Sequence, residues 1–434
     1  MEKRKKILIV GNSAKEFALV KKFKNYDCDI FVAPGNHAIK EIAECVDIRE
    51  DNVQELLEFV LENAIDLTIA TSETAVKNDI SGLFQANSQL IFAPTAQSST
   101  FAISRSVGKK FLYKLRIPTP RFAIFDKLQM AVDYLKNASM PQVIRTDETS
   151  MSADRLVCTT FVNSKTFVED LFCRDEKKVV LEDYVYGHEF TFYIVTDGYS
   201  ALPIATVANY KFMENGDAGI LTSGIGAYTP DYKVSKDVEV NIMQNVVARV
   251  LDSLQKKETP YLGILGIDCV LTDDNQYVVL DFKPFLSDHD AEAVLNLIDE
   301  NLLTLFEACA VGSFADDYEK IEVSDNSSVS CVISARSEGK IINGLDLVES
   351  DISHFGNENI LDEINSECLK FEDDNEAVKN KYLEYETVKG KSLVVTKTAK
   401  TLSRARKFLY EDVELINFDG KKYRTDICEQ VENF

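Results

Sequence analysis

Asn215-Gly-Asp-Ala-Gly-Ile-Leu-Thr-Ser-Gly-Ile-Gly-Ala-Tyr-Thr-Pro230 carries four glycines in sixteen residues. It reads as a glycine-dense loop in which bare backbone N–H groups approach anionic oxygens closely. No Gly-x-x-x-x-Gly-Lys-Ser/Thr motif occurs anywhere in the chain, so any phosphate chemistry needs another architecture. Upstream, Val179-Val-Leu-Glu-Asp-Tyr-Val-Tyr-Gly-His-Glu189 is a strand with carboxylates at both ends and a glycine turn. Backbone near Val185 is suited to the edge of a purine and Glu189 to ribose hydroxyls, although such a segment alone is more often a plain hairpin with exposed acids. Downstream comes a strand ending Leu280-Asp-Phe-Lys283.

Around this centre the chain is 434 residues long, more than one hydrophobic core accommodates, and its 45% hydrophobic content is that of a globular protein. A formal charge of -23 argues against nucleic acid or an anionic membrane as partner. Anionic small molecules then require a local cluster of cations and N–H groups working against the overall field. The basic start is followed by four apolar residues, Ile7 to Val10, too few for a signal-peptide core or a membrane span, which predicts a cytoplasmic protein. Nine cysteines without a Cys-x-x-Cys pair read as reduced thiols in apolar surroundings.

The first hundred residues alternate strand and helix. Lys6 to Val10, Asp29 to Ala33 and Leu67 to Ala70 are buried-strand runs, and Asp51 is the expected N-cap of a helix carrying Val53, Leu56, Leu57 and Val60 on one face. That alternation predicts a parallel sheet. After the helix of Lys109 to Leu115 and the break at Ile117-Pro-Thr-Pro120, the chain becomes strand-rich to about Ile194, a small α+β subdomain. Val238, Met243, Val246, Val247, Val250, Leu251 and Leu254 mark a long amphipathic helix, followed by the strands Leu265 to Leu271 and Tyr277 to Phe282, then a helical run Ala291 to Cys309. From Ser328 a separate C-terminal domain is expected, with strands Val329 to Ile333 and Ser392 to Thr396 and a helix from Leu402 to Tyr410.

The glycine-dense segment resembles, almost position for position, the Asp-x-Gly-Pro-x-Thr-Gly-Gly-Met-Gly-Ala-Tyr-Ser-Pro of phosphoribosylamine-glycine ligases. Gly11-Asn-Ser-Ala-Lys-Glu-Phe-Ala18, Phe31-Val-Ala-Pro-Gly-Asn36, Ile91-Phe-Ala-Pro-Thr-Ala96 with Ser104-Arg105, and Tyr423-Arg-Thr-Asp-Ile427 extend the resemblance to both ends. It implies an α/β and α+β protein: a Rossmann-like N-terminal domain (1–103), a two-part ATP-grasp fold (104–327, lid about 120–194) and a small C-terminal domain (328–434). It also implies ATP-dependent ligation of glycine to 5-phosphoribosylamine in purine biosynthesis, by a monomer or homodimer acting on small molecules. By the same resemblance Arg105, Arg145, Glu182, Val185 and Glu189 hold ATP; Lys211, Asp217 and Asp288 are the catalytic candidates; Gly11, Asn12, Gly35, Asn36, Gly219, Thr222, Gly224 and Gly226 border the substrates; and Asp268 and Asp281 are the candidate ligands for Mg2+.

Three departures qualify that picture. The family's glycine-rich phosphate loop stands here as Arg145-Thr-Asp-Glu-Thr-Ser-Met-Ser-Ala-Asp-Arg155, without a glycine, which puts Glu148 and Asp154 beside a polyanion. The metal-binding Glu-Phe-Asn is Asp281-Phe-Lys283; residues two apart on a strand share a face, so an ammonium points where an oxygen ligand is expected. That leaves one Mg2+ ion on Asp268 and Asp281, or none. The segment Pro284-Phe-Leu-Ser-Asp-His-Asp290 lacks the family's arginine, and His289 between two aspartates reads as a surface salt-bridge partner. Three readings stay open: a working ligase, a catalytically impaired homologue that binds nucleotide or a partner, and a ligase for another acid and amine.

Overall fold

A computed structural model describes residues 4–148, 155–174, 176–355, 385–387 and 389–431. Its first five strands, β1 (Lys5–Gly11), β2 (Cys28–Pro34), β3 (Glu44–Cys45), β4 (Leu67–Ala70) and β5 (Ile91–Phe92), form a parallel sheet in the order β3-β2-β1-β4-β5. The apolar run in β1 is continuous because both faces are covered: Ile7 and Ile9 enter one core, Leu8 and Val10 the other. The helix Val53–Asn63 is capped by Asn52, whose side chain accepts from the Glu55 N–H; Asp51, the expected cap, pairs with Arg49 instead.

The next unit is an antiparallel sheet, ordered β6-β9-β7-β8, of β6 (Phe122–Phe125), β7 (Gln142–Thr146), β8 (Arg155–Cys158) and β9 (Val179–Asp183). The strand-rich stretch also holds two helices, Leu128–Leu135 and Phe161–Cys173, and Ile144, Val179 and Leu181 pack with them. Alternation turns Val143, Arg145, Val180 and Glu182 the other way. Residues 149–154, most of the expected phosphate loop and including Asp154, lie outside the described residues.

The opposing layer is an eight-stranded sheet. It contains β10 (His188–Thr196), β11 (Ala201–Glu214), β12 (Ala218–Thr229), β13 (Gly263–Leu271), β14 (Tyr277–Lys283) and β15 (Ser327–Ala335), in the order β14-β13-β10-β11-β12-β15. After the short pair β16 (Ile341–Ile342) and β18 (Tyr385–Glu386), β17 (Asp351–His354) and β19 (Gly390–Ala399) complete it beyond β15. Lys236 to Gln255 is one continuous helix with a π turn at Met243–Val247, and Val238, Ile242, Val246, Val250 and Leu254 bury its apolar stripe with Phe190, Phe192, Leu265 and Ile267. The run Ala291 to Cys309 is two helices, because Asn301 accepts from the Leu303 and Thr304 N–H groups and starts the second, Leu302–Val311.

One expectation is corrected here. The glycine-dense segment is mostly strand β12, with its turn at Gly216 and Asp217, and two of its glycines serve packing. A Cβ on Gly224, whose φ is +139°, would overlap the His289 ring, and one on Gly226 would meet Ile427 and the Ser330 carbonyl. The strands of the C-terminal region continue the large sheet: β12 pairs antiparallel with β15, Gly226 opposite Cys331.

The parallel sheet is fastened to this body by Phe92 and Phe306, whose rings stack with centroids 3.9 Å apart and planes 6° from parallel. Phe306→Ala removes a fully buried ring and should lower the free energy of unfolding by about 3–5 kcal/mol, read from denaturant titration.

Candidate active site

The inner faces of the two antiparallel sheets enclose a slot. Val143 and Val157 line it on one side and Phe212, Leu221, Val270 and Leu280 on the other, with Glu182, Tyr184, Val185 and Glu189 along the edge. Apolar walls on two opposed sheets, with polar groups among the lining residues, suit a flat heteroaromatic base.

Beyond the slot, alternation collects the polar residues of the large sheet on one face. Glu189, Thr191 and Tyr193 come from β10, Asn209 and Lys211 from β11, Gly266 and Asp268 from β13, and Asp281 and Lys283 from β14. Asp268 lies opposite both Thr191 and Asp281 in register. One of its oxygens accepts from Thr191 at 2.5 Å and pairs with Lys283 Nζ at 3.1 Å; the other takes Lys211 Nζ at 3.2 Å. Lys211 also reaches Glu189 at 2.9 Å. Burial opposes the charge on Asp268, but Lys211 and Lys283 overcome it and hold the carboxyl below its usual range.

From the opposing sheet, Arg145 lies 3.6 Å from Asp281 and 3.5 Å from Glu182. Glu182 is 1% exposed and bound to the equally buried Lys109 at 2.6 Å, so its carboxylate is committed to cations; these win over burial and keep it ionised. Arg105 lies 3.6 Å from Asp281 and donates to the carbonyls of Thr146 and Glu148. Arg155 faces the same space, and its Nη2 is buried without a hydrogen-bond partner. Burial first, then Arg145 and Arg105, pull its ionisation down to about 9.

Asp268 and Asp281 do not fit a divalent ion as they stand. Both are already ion-paired, and among the described residues no cluster of three or more His, Cys, Asp or Glu is placed to hold a metal. A divalent ion about 4 Å from the Lys283 ammonium would be opposed by about 4 kcal/mol per unit of its charge at an effective dielectric near 20. His289, expected at the surface, is instead 1% exposed: its ring lies against Gly224 and its Nε2 is 3.0 Å from Asn209 Oδ1. Burial, then Lys283, Lys391 and Lys211, keep it neutral.

The other candidates divide. Gly11, Asn12, Gly35 and Asn36 meet at the carboxyl ends of β1 and β2, where Asn36 donates to the Asn12 carbonyl at 2.8 Å. Asp288 joins them rather than the Asp268 cluster, accepting from Ser13 Oγ at 2.6 Å and from the Lys15 N–H at 3.0 Å. Thr222 donates to the Lys211 carbonyl at 2.8 Å. Asp217 and Gly219 sit at the β11–β12 turn, where Asp217 is 66% exposed and bound to Arg424 at 2.8 Å; Gly226 is a packing glycine. Residue reading missed Lys15, Lys109, Asn209 and Lys391, whose partners are remote in sequence; for Asn209 the signal was its spacing two residues before Lys211.

Lys391 donates to Ser223 Oγ, and burial, reinforced by Arg155 and Lys283, pulls it to about 8. Between that pH and the ordinary lysine value near 10.4, the unfolded chain keeps a proton the folded chain has lost, so this group makes stability rise with pH. Lys391→Met should remove that rise, measured as the difference in unfolding free energy between variant and parent from pH 8 to 10.

Two family models match the chain: the phosphoribosylglycinamide synthetase N domain over residues 5–101 and the ATP-grasp (A) domain of the same synthetase over 103–291. A phosphoribosylamine–glycine ligase of Caldanaerobacter subterraneus is 29% identical over 98% of this chain and 99% of its own length. The crystal structure of phosphoribosylamine–glycine ligase from Thermotoga maritima superimposes with a TM-score of 0.77 at 20% identity, covering 97% of this chain and all of that one. The biotin carboxylase domain of Hydrogenobacter thermophilus 2-oxoglutarate carboxylase, solved with MgADP and bicarbonate, shares the fold at a TM-score of 0.69 and 11% identity, covering 98% of this chain and 97% of that one. With its parallel N-terminal sheet, its slot between two antiparallel sheets and both matched domains in order, this chain belongs to the phosphoribosylglycinamide synthetase family and has the ATP-grasp fold.

Proposed function

We propose that this chain is an ATP-dependent carbon–nitrogen ligase that joins glycine to 5-phosphoribosylamine, forming glycinamide ribonucleotide in purine biosynthesis. The observation that carries this reading is the apolar slot opening onto a cluster of cationic side chains, in a chain matched to its family from end to end.

A carboxylate is a poor electrophile, so the acid is first activated. A glycine carboxylate oxygen attacks the γ-phosphorus of ATP, the bond to the β-phosphate oxygen breaks, and glycyl phosphate and ADP result. The amine of phosphoribosylamine then attacks the acyl carbon, loses a proton and expels phosphate. Charge accumulates on phosphate oxygens in both steps, and Arg105, Arg145, Arg155 and Lys211 are the side chains we assign to offset it. Val185 backbone and Glu189 are assigned to adenosine, with Glu189 sharing its carboxylate between the ribose and Lys211. Gly11, Asn12, Gly35 and Asn36 border the sugar phosphate, with Lys15 close by as its cation. Among the described residues no helix is long and apolar enough to cross a membrane.

A second reading, a catalytically impaired homologue that keeps nucleotide binding, is favoured by Lys283, which pairs with Asp268 where a metal ligand is expected. One assay separates the two. Purified protein with ATP, glycine and freshly generated phosphoribosylamine, with and without magnesium, should release phosphate only when every substrate is present; ATP binding without release supports the impaired homologue. In the active case Arg145→Met should lower kcat by about 10²–10³-fold, the scale for losing one preorganised charge-stabilising donor.

A further inference from the structure

Lys283 is built into the cleft floor. Its stem lies over Gly266, where a Cβ would crowd against Lys283 Cβ, Thr191 Cγ2 and Tyr193. Its ammonium is fixed by Asp268 at 3.1 Å and Thr191 Oγ1 at 3.1 Å. Thr191 is itself tied to Asn209 Nδ2 at 2.7 Å, and Asn209 to His289 at 3.0 Å, so the pocket around the ammonium is closed by hydrogen bonds on its far side. The second carboxylate, Asp281, is taken by Arg105 and Arg145.

Around the cleft, the cations Arg105, Lys109, Arg145, Arg155, Lys211 and Lys283 face the carboxylates of Glu182, Glu189, Asp268 and Asp281. Among these described side chains, and with Asp290 near Lys283 counted as a fifth carboxylate, the cations are still in excess, in a chain whose formal charge is -23. A fixed positive excess whose carboxylates are already ion-paired is complementary to a polyphosphate that arrives without a divalent ion.

We infer that Lys283 stands in place of a divalent cation, so that the cleft binds the free, metal-uncomplexed anion of a nucleoside triphosphate. This rests on the cleft being the nucleotide site of the proposed ligase. Lys283 neutralises Asp268 permanently, and the arginines above it supply the charge that a bridging ion would otherwise carry to the phosphates.

The test is calorimetric titration of the full chain with ATP, once in EDTA and once in excess magnesium, followed by the same pair on Lys283→Asn. The parent should bind in EDTA within about threefold of its affinity in magnesium, whereas Lys283→Asn should lose about tenfold or more in EDTA and regain it with magnesium. A parent whose affinity falls more than about tenfold in EDTA overturns the inference, as does a folded variant that titrates like the parent. Should Lys283→Asn not fold, the two titrations of the parent still decide. Binding only with magnesium removes the role given to Lys283 and leaves the nucleotide site standing; no binding in either buffer removes both.

Discussion

Asp268 is the centre on which the cleft floor depends. A carboxylate buried on the inner face of a sheet is stable only when its charge is answered at contact distance, and here both oxygens are answered: Lys211 on one, Lys283 and Thr191 on the other. Each partner constrains a further residue. Lys211 fixes Glu189 at the border of the slot, and Thr191 fixes Asn209, which meets His289. His289 occupies the space that glycine leaves at position 224, so one glycine of the most conspicuous sequence feature of the chain serves a buried ring and its hydrogen bond. Removing one partner of such a pair leaves its charge exposed to a low dielectric, which makes the floor all or nothing rather than graded.

Much of the fold is legible in the sequence because it follows from period. Ile7 to Val10 is apolar throughout, as a strand covered on both faces must be, and Val238 to Leu254 repeats at helical spacing. The errors arise where local chemistry is ambiguous. Asp51 and Asn52 are both competent N-caps, and the choice falls to Asn52 because Arg49 engages Asp51. A segment with four glycines reads as loop by backbone freedom alone, yet two of them, Gly224 and Gly226, lie where a ring, a neighbouring strand and Ile427 press on β12. That pressure comes from residues 289, 330 and 427, which no local reading contains.

The site follows the same division. That Lys283 points with Asp281 is readable from two-residue spacing alone. What the ammonium touches is not, because Asp268 lies across a strand pair and Thr191 on a third strand. Likewise Glu182 reads as a contact for a ligand, while the fold surrounds it with Lys109 and Arg145, and Asp217 reads as catalytic while the fold gives it to Arg424. Charged residues in sequence state what can be paired; only the sheet order states which pairs form.

The continuity of the large sheet has a consequence for how the protein is made. The outer edge of β12 is closed by β15, and β15 in turn by β19, which begins at Gly390. During synthesis the β12 edge therefore stays open until β15 has emerged, and the β15 edge until β19 has, the intervals in which such edges recruit other chains. A nascent chain stalled before β15 is consequently not a smaller working unit but an unfinished one, its large sheet still open along β12.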